Sequence, residues 1–123
     1  MNDLSGRRVL IVEDEAGVAL LIEDMLLELG CEIAASAAKL ARGCELARTV
    51  ACDLAILDIN LDGEPAFPVA RILAERKIPF LFSTGYGSAG LPDEFKQRHV
   101  LSKPFTIEQL EAKAVETLRV TPA

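Results

Sequence analysis

The sequence has no tryptophan, a single tyrosine (Tyr86), a single histidine (His99) and only three cysteines (Cys31, Cys44 and Cys52) in 123 residues. One histidine and three cysteines at those spacings match no zinc-binding pattern, and an odd number of thiols builds no disulfide framework. Reduced thiols filling apolar core positions are expected instead, which points to a cytoplasmic protein. No apolar run reaches the roughly 18 residues of a membrane-spanning helix, and the polar start, Met1 to Arg8, does not resemble a signal peptide. Basic side chains are also in deficit. Thirteen Lys and Arg face nineteen Asp and Glu, a net charge of −6 that repels phosphate backbones, so neither nucleic acid nor membrane is an expected partner. No internal repeat or low-complexity tract is visible.

What remains is a globular composition, half apolar and 26% charged, of a size that makes one domain. Arg8 to Val12 is a short continuous apolar run that ends in acids, the mark of a strand buried on both faces. Val18, Leu21, Ile22, Met25, Leu26 and Leu29 follow at helical spacing, and Gly30 stops the helix. A second strand over Cys31–Ala35 and an Ala-rich helix over Ala37–Val50 come next. Asp53 to Asp58 repeats the first theme, an apolar strand with a carboxylate at its end. After the turn-rich stretch Asn60–Pro65, Pro68 suits the start of a helix reaching Arg76, and Pro79–Ser83 forms a fourth strand. Gly85, Gly87, Gly90 and Pro92 leave room only for a short helix, over Asp93–Arg98. His99–Leu101 is the fifth strand, and Thr106 to Gln109 is a capping box opening a last helix toward Val120. Five alternations of strand and helix predict an α/β fold with a parallel sheet covered on both faces.

Ligands in such sheets bind beyond the carboxyl ends of the strands, at the switch point of the topology. Glu13 and Asp14 follow strand one, Asp58 ends strand three, Thr84 ends strand four and Lys103 follows strand five. Each polar group comes directly after a buried run, so the sheet itself would position it. Three carboxylates in one pocket repel; a pair about 5 Å apart costs roughly 3 kcal/mol at an effective dielectric of 20. Lys103 supplies one positive charge and a divalent cation would supply two. The oxygen-only donor set suits Mg²⁺ beside a phosphoryl group, with an aspartate as nucleophile. Taken singly, Glu13 and Asp14 suit a helix N-terminus, Asp58 a turn, and Thr84 and Lys103 an ordinary surface. Leu20 and Leu27, seven apart on the far side of the first helix, suggest a docking or dimer contact.

In sum these segments resemble the receiver domain of two-component response regulators. They are Val9-Leu10-Ile11-Val12-Glu13-Asp14-Glu15, Leu57-Asp58-Ile59-Asn60-Leu61, Phe82-Ser83-Thr84-Gly85 and Ser102-Lys103-Pro104-Phe105, in order and at family spacing from end to end of the chain. The resemblance implies a flavodoxin-like (βα)5 three-layer sandwich with strand order 2-1-3-4-5, and a single receiver over residues 1–123 with no output domain. It implies a phosphoacceptor signalling protein rather than an enzyme. Asp58 would accept the phosphoryl group, Asp14 would bind Mg²⁺ directly and Glu13 through water, and Asn60 would offer a backbone carbonyl to the ion. Thr84 would hydrogen-bond the phosphoryl group, Lys103 would pair with one of its oxygens, and the Lys103–Pro104 bond would be cis.

Glu64-Pro65, Phe67-Pro68-Val69, Ile78-Pro79-Phe80 and Phe82-Ser83-Thr84-Gly85-Tyr86-Gly87 further resemble the single-domain alphaproteobacterial receivers with a Phe-Ala-Thr-Gly-x-Tyr motif. Ser83 stands where that motif has Ala, and Tyr86 stands one position before its Tyr. The subgroup implies Gly85 and Tyr86 as switch residues in the loop. Its implied donor is a sensor histidine kinase of the HWE or a related class, or a histidine phosphotransfer protein. A monomer or weak homodimer is implied, with phosphorylation switching protein–protein contacts. Val100 stands where most receivers carry Tyr or Phe. Alternatives are a phosphate sink, a pseudo-receiver that only binds, or a hydrolase with an aspartyl nucleophile. The last would want a second acid two residues after Asp58, where Asn60 stands.

Overall fold

The apolar runs become the strands of one parallel sheet in the computed structural model, which describes residues 3–85 and 91–119. The strands are β1 (Arg8–Val12), β2 (Glu32–Ala37), β3 (Leu54–Asp58), β4 (Phe80–Thr84) and β5 (Val100–Ser102), in the order β2-β1-β3-β4-β5. β3 and β4 are buried at every position, as their unbroken apolar sequences require. Alternation then sends residues to two cores. Val9, Ile11, Leu54, Ile56, Leu81 and Leu101 face the helices α1 (Ala16–Glu28) and α4 (Ile107–Arg119). Leu10, Val12, Ala55, Leu57, Phe80 and Phe82 face α2 (Leu40–Thr49) and α3 (Phe67–Glu75). This is the flavodoxin-like three-layer sandwich with the expected strand order.

Four details differ from expectation. β2 runs on to Ala37, because a register shift between Val9 and Leu10 lets its later residues keep pace with β1; α2 consequently begins at Leu40. Leu21 is 51% exposed rather than inward, since α1 packs through Ala19, Ile22 and Leu26 and leaves Leu21 at the edge of that stripe beside the exposed Leu20 and Leu27. The helix expected over Asp93–Arg98 is a single 3₁₀ turn, Asp93–Phe95, pinned by buried Phe95. The stretch Asn60–Pro65 is a two-stranded hairpin, with Asn60–Leu61 paired antiparallel to Glu64–Pro65. Asp62 and Gly63 both take positive φ, 54° and 89°, the signature of the tight turn that fits strand twist.

The three thiols are free, and Cys31 and Cys52 are pushed up from the ordinary thiol range by burial. The capping box forms as read: Gln109 N–H donates to Thr106 Oγ1 at 3.1 Å and Thr106 N–H to Gln109 Oε1 at 2.8 Å. Thr106→Ala should therefore lower unfolding free energy by about 1 kcal/mol in urea titration. An unchanged midpoint would show that α4 is held by its buried face alone.

Candidate functional site

The carboxyl ends of β1, β3 and β4 open onto a cleft of about 640 Å³. It lies beside the point where the strand order reverses, between β1 and its two neighbours. Among its lining residues are Asp14, Asp58, Asn60, Thr84, Gly85 and Lys103, so most of the residues singled out in the sequence converge here. Strand parity explains the convergence. Glu13 continues the Val9–Ile11 side of β1, and Asp58 the Leu54–Ile56 side of β3, so both carboxylates stand on the same sheet face. Thr84 continues the Phe80–Phe82 side of β4 and approaches from the other face.

Lys103 is the hub. Its Nζ donates to Glu13 Oε1 at 2.7 Å and to Asp58 Oδ2 at 3.2 Å. Its backbone N–H donates to the Thr84 carbonyl at 2.8 Å, and the Lys103–Pro104 peptide is cis. Asp58 is 8% exposed and its other oxygen, Oδ1, accepts from the Asn60 N–H at 3.2 Å. Glu13 is 2% exposed and its Oε2 accepts from the Glu15 N–H at 3.0 Å. Asp14 Oδ2 accepts from the Asp62 N–H at 3.0 Å, which ties the hairpin to the acidic pair. The Asn60 side chain turns away, its Oδ1 accepting from the Gly63 N–H at 2.7 Å inside the hairpin.

Charge in the cleft is unbalanced. Burial, reinforced by the nearby Asp58 charge, pushes the Glu13 carboxyl up to about 7 against the pull of Lys103. Burial opposes ionisation of Asp14 as well, but hydrogen bonds with Glu13, Asp58 and the Asp62 backbone outweigh it and hold Asp14 below the usual range. Burial would depress the Lys103 ammonium, yet its bonds to Glu13 and Asp58 win and raise it. One ammonium thus serves a group of carboxylates that want a second cation. Oxygens of Glu13, Asp14 and Asp58 lie within 4.8 Å of one another. Ligands of an octahedral ion with bonds of about 2.1 Å stand no farther apart than roughly 4.2 Å, so these hard oxygens fit Mg²⁺ with small adjustment.

Gly85 lines the cleft, and among the described residues nothing lies within 4 Å of where its Cβ would stand. Tyr86 lies outside the described residues. Sequence reading passed over two features of the site. One is the hairpin as a wall of the cleft, signalled by the Asp62-Gly63 pair. The other is Phe67, which lines the cleft and stacks on Phe95 at 5.8 Å between ring centres.

Fold and cleft together define a doubly wound α/β protein whose chemistry is a carboxylate cluster served by one lysine at the switch point. The chain belongs to the response regulator receiver domain family, whose model matches residues 9–115. Its fold is similar to that of SdrG from Sphingomonas melonis Fr1, with a TM-score of 0.82 and 40% identity over 98% of this chain and 100% of that one. That likeness agrees with the alphaproteobacterial subgroup. The sequence is 32% identical to the "Transcriptional regulatory protein PdtaR" of Mycobacterium tuberculosis over 85% of this chain. It spans only 53% of that protein, about half its length. It is also 32% identical to the "Probable chemotaxis protein CheY" of Rhizobium etli, over 90% of this chain and 91% of that protein.

Proposed function

We propose that this chain is a response-regulator receiver in which Asp58 accepts a phosphoryl group from the phosphohistidine of a sensor histidine kinase, of the HWE or a related class, or of a histidine phosphotransfer protein. The observation that carries this reading is the state of Asp58. It is nearly buried, and Lys103 on one oxygen and the Asn60 N–H on the other fix its plane at the floor of an open cleft. An Asp58 oxygen forms the new P–O bond as the P–N bond of phosphohistidine breaks and the imidazole leaves. Little else is required beyond positioning and neutralising the transferred oxygens. Lys103, already 3.2 Å from Asp58 Oδ2, reaches a phosphoryl oxygen without leaving its bond to Glu13. The Thr84 hydroxyl, at the end of β4, approaches from the opposite sheet face and hydrogen-bonds another. Glu13, Asp14, Asp58 and the Asn60 carbonyl would hold Mg²⁺. Bound there, the ion supplies charge neutralisation that one lysine cannot.

The output is a change of protein contacts: a more highly charged acyl phosphate draws Thr84 and the loop after it, biasing a two-state surface. The whole of residues 1–123 is read as that receiver. Incubation with acetyl phosphate and Mg²⁺ should add one phosphoryl group by intact-mass measurement, and excess chelator should reduce uptake at least tenfold. Undiminished uptake in chelator would contradict a metal role for the acidic cluster. Transfer from a phosphorylated HWE kinase, followed on phosphate-affinity gels, tests the donor.

A further inference from the structure

A second cavity, of about 300 Å³, lies at the opposite end of the sheet, where β4 and β5 begin. Pro79 and Phe80 form its apolar wall, and Glu94, Arg98, His99 and Thr117 close it. The charges around it are paired with one exception. Glu94 is held by Arg71, at 2.9 and 3.5 Å. His99 Nδ1 lies 3.1 Å from Glu116, which also has Lys113 at 3.9 Å. Arg98 alone of these has no carboxylate partner among the described residues. Its guanidinium lies over the Phe80 ring, 4.4 Å from the centroid, and partial burial lowers its affinity for its proton with no counter-charge to offset that. A guanidinium laid on an aromatic ring is pre-organised, since its plane is set and few rotamers remain to be lost on binding.

We infer that this cavity is a binding site for a small monocarboxylate with a flat apolar body, anchored by Arg98 and laid against Pro79. Volume supports a small molecule, since roughly 300 Å³ is the lower end of such sites. Charge selects the anion. A single unpaired cation with Glu94 and Glu116 close by balances one negative charge. A dianionic phosphate would meet those carboxylates, and the net charge of −6, with too little to offset it. A carboxylate also matches the guanidinium fork in two parallel hydrogen bonds. The site is separate from the Asp58 cleft and does not depend on the reading given to that cleft.

The test is titration of the isotope-labelled protein with benzoate, benzamide and inorganic phosphate, followed by NMR. Benzoate should give saturable shifts at the Arg98 Nε–H and at the amides of Gln97, His99 and Thr117. Benzamide, its neutral counterpart, and phosphate should leave them unmoved. Arg98→Gln should weaken benzoate binding at least tenfold, and Arg98→Lys, which keeps the charge and much of the stem packing but loses the fork, should weaken it less. The remaining spectrum reports whether each variant stays folded. Shifts that fail to saturate, equal shifts in Arg98→Gln, or tighter binding of phosphate than of benzoate would each overturn the assignment.

Discussion

Asp58→Asn should abolish phosphoryl uptake from acetyl phosphate or a phosphorylated kinase, with no residual slow phase. The amide keeps the size of the carboxylate, and its single oxygen can still accept from Lys103 or from the Asn60 N–H but not from both, so the cleft should keep its overall shape with one hydrogen bond fewer. What it loses is the anionic oxygen that attacks phosphorus. Glu13 and Asp14 are the neighbouring candidates to take over. Glu13 is engaged on both oxygens, by Lys103 and the Glu15 N–H, and Asp14 is tied to the Asp62 N–H. The variant should unfold at the same or a higher urea concentration than the parent. It removes one charge from a cluster in which Asp58 already disfavours ionisation of Glu13. Uptake at a tenth of the parental rate or more would mean that another side chain is the acceptor.

Phe82→Ala should be the most damaging single change to stability, costing about 3–5 kcal/mol of a total that for domains of this kind is roughly 5–15 kcal/mol. Phe82 is fully buried on β4, two residues before Thr84. Its ring meets Phe67, Phe80 and Phe95 at 6.1, 5.6 and 5.6 Å between centres, mostly edge to face. Those rings come from α3, β4 and the 3₁₀ turn, so truncation opens a cavity at the junction of three elements. Phe105, only partly buried on the opposite core, is the control and should cost clearly less when cut to Ala. The comparison is made by urea titration of the two variants at equal slope. A loss below about 2 kcal/mol for Phe82→Ala would show that the aromatic cluster collapses to fill the space.

The aromatic cluster also bears on what a reader of the bare sequence could and could not see. The strands β1, β3 and β4 were legible because a residue buried on both faces must be apolar, whereas the edge strands β2 and β5, largely half-buried or exposed, were marked mainly by their place between helical patterns. The site was legible for the same reason: Glu13, Asp58, Thr84 and Lys103 each follow a buried run, so the sheet alone determines where they emerge. Thr106 and Gln109 announced their helix through local hydrogen bonds that depend on nothing distant. Leu21 was misplaced because helical periodicity gives the direction of a stripe but not its width, which the neighbouring strands decide. The hairpin at Asn60–Pro65 was hidden by its size, two residues a side, although Asp62-Gly63 marked its turn. Phe67, Phe80, Phe82 and Phe95 are far apart in the chain, and nothing local says that their rings meet. Nothing local in the sequence singles out Arg98, because the absence of a partner is visible only once every nearby carboxylate has been assigned to another.

The central claim is that residues distant in sequence surround Asp58 and make it the acceptor, and mapping the modified side chain tests this most directly. The protein is treated with acetyl phosphate and Mg²⁺, the acyl phosphate is trapped by borohydride reduction, and the digest is sequenced by mass spectrometry. The account predicts reduction at Asp58 and nowhere else. Label at Glu13, Asp14 or any other carboxylate, with Asp58 unmodified, would contradict it.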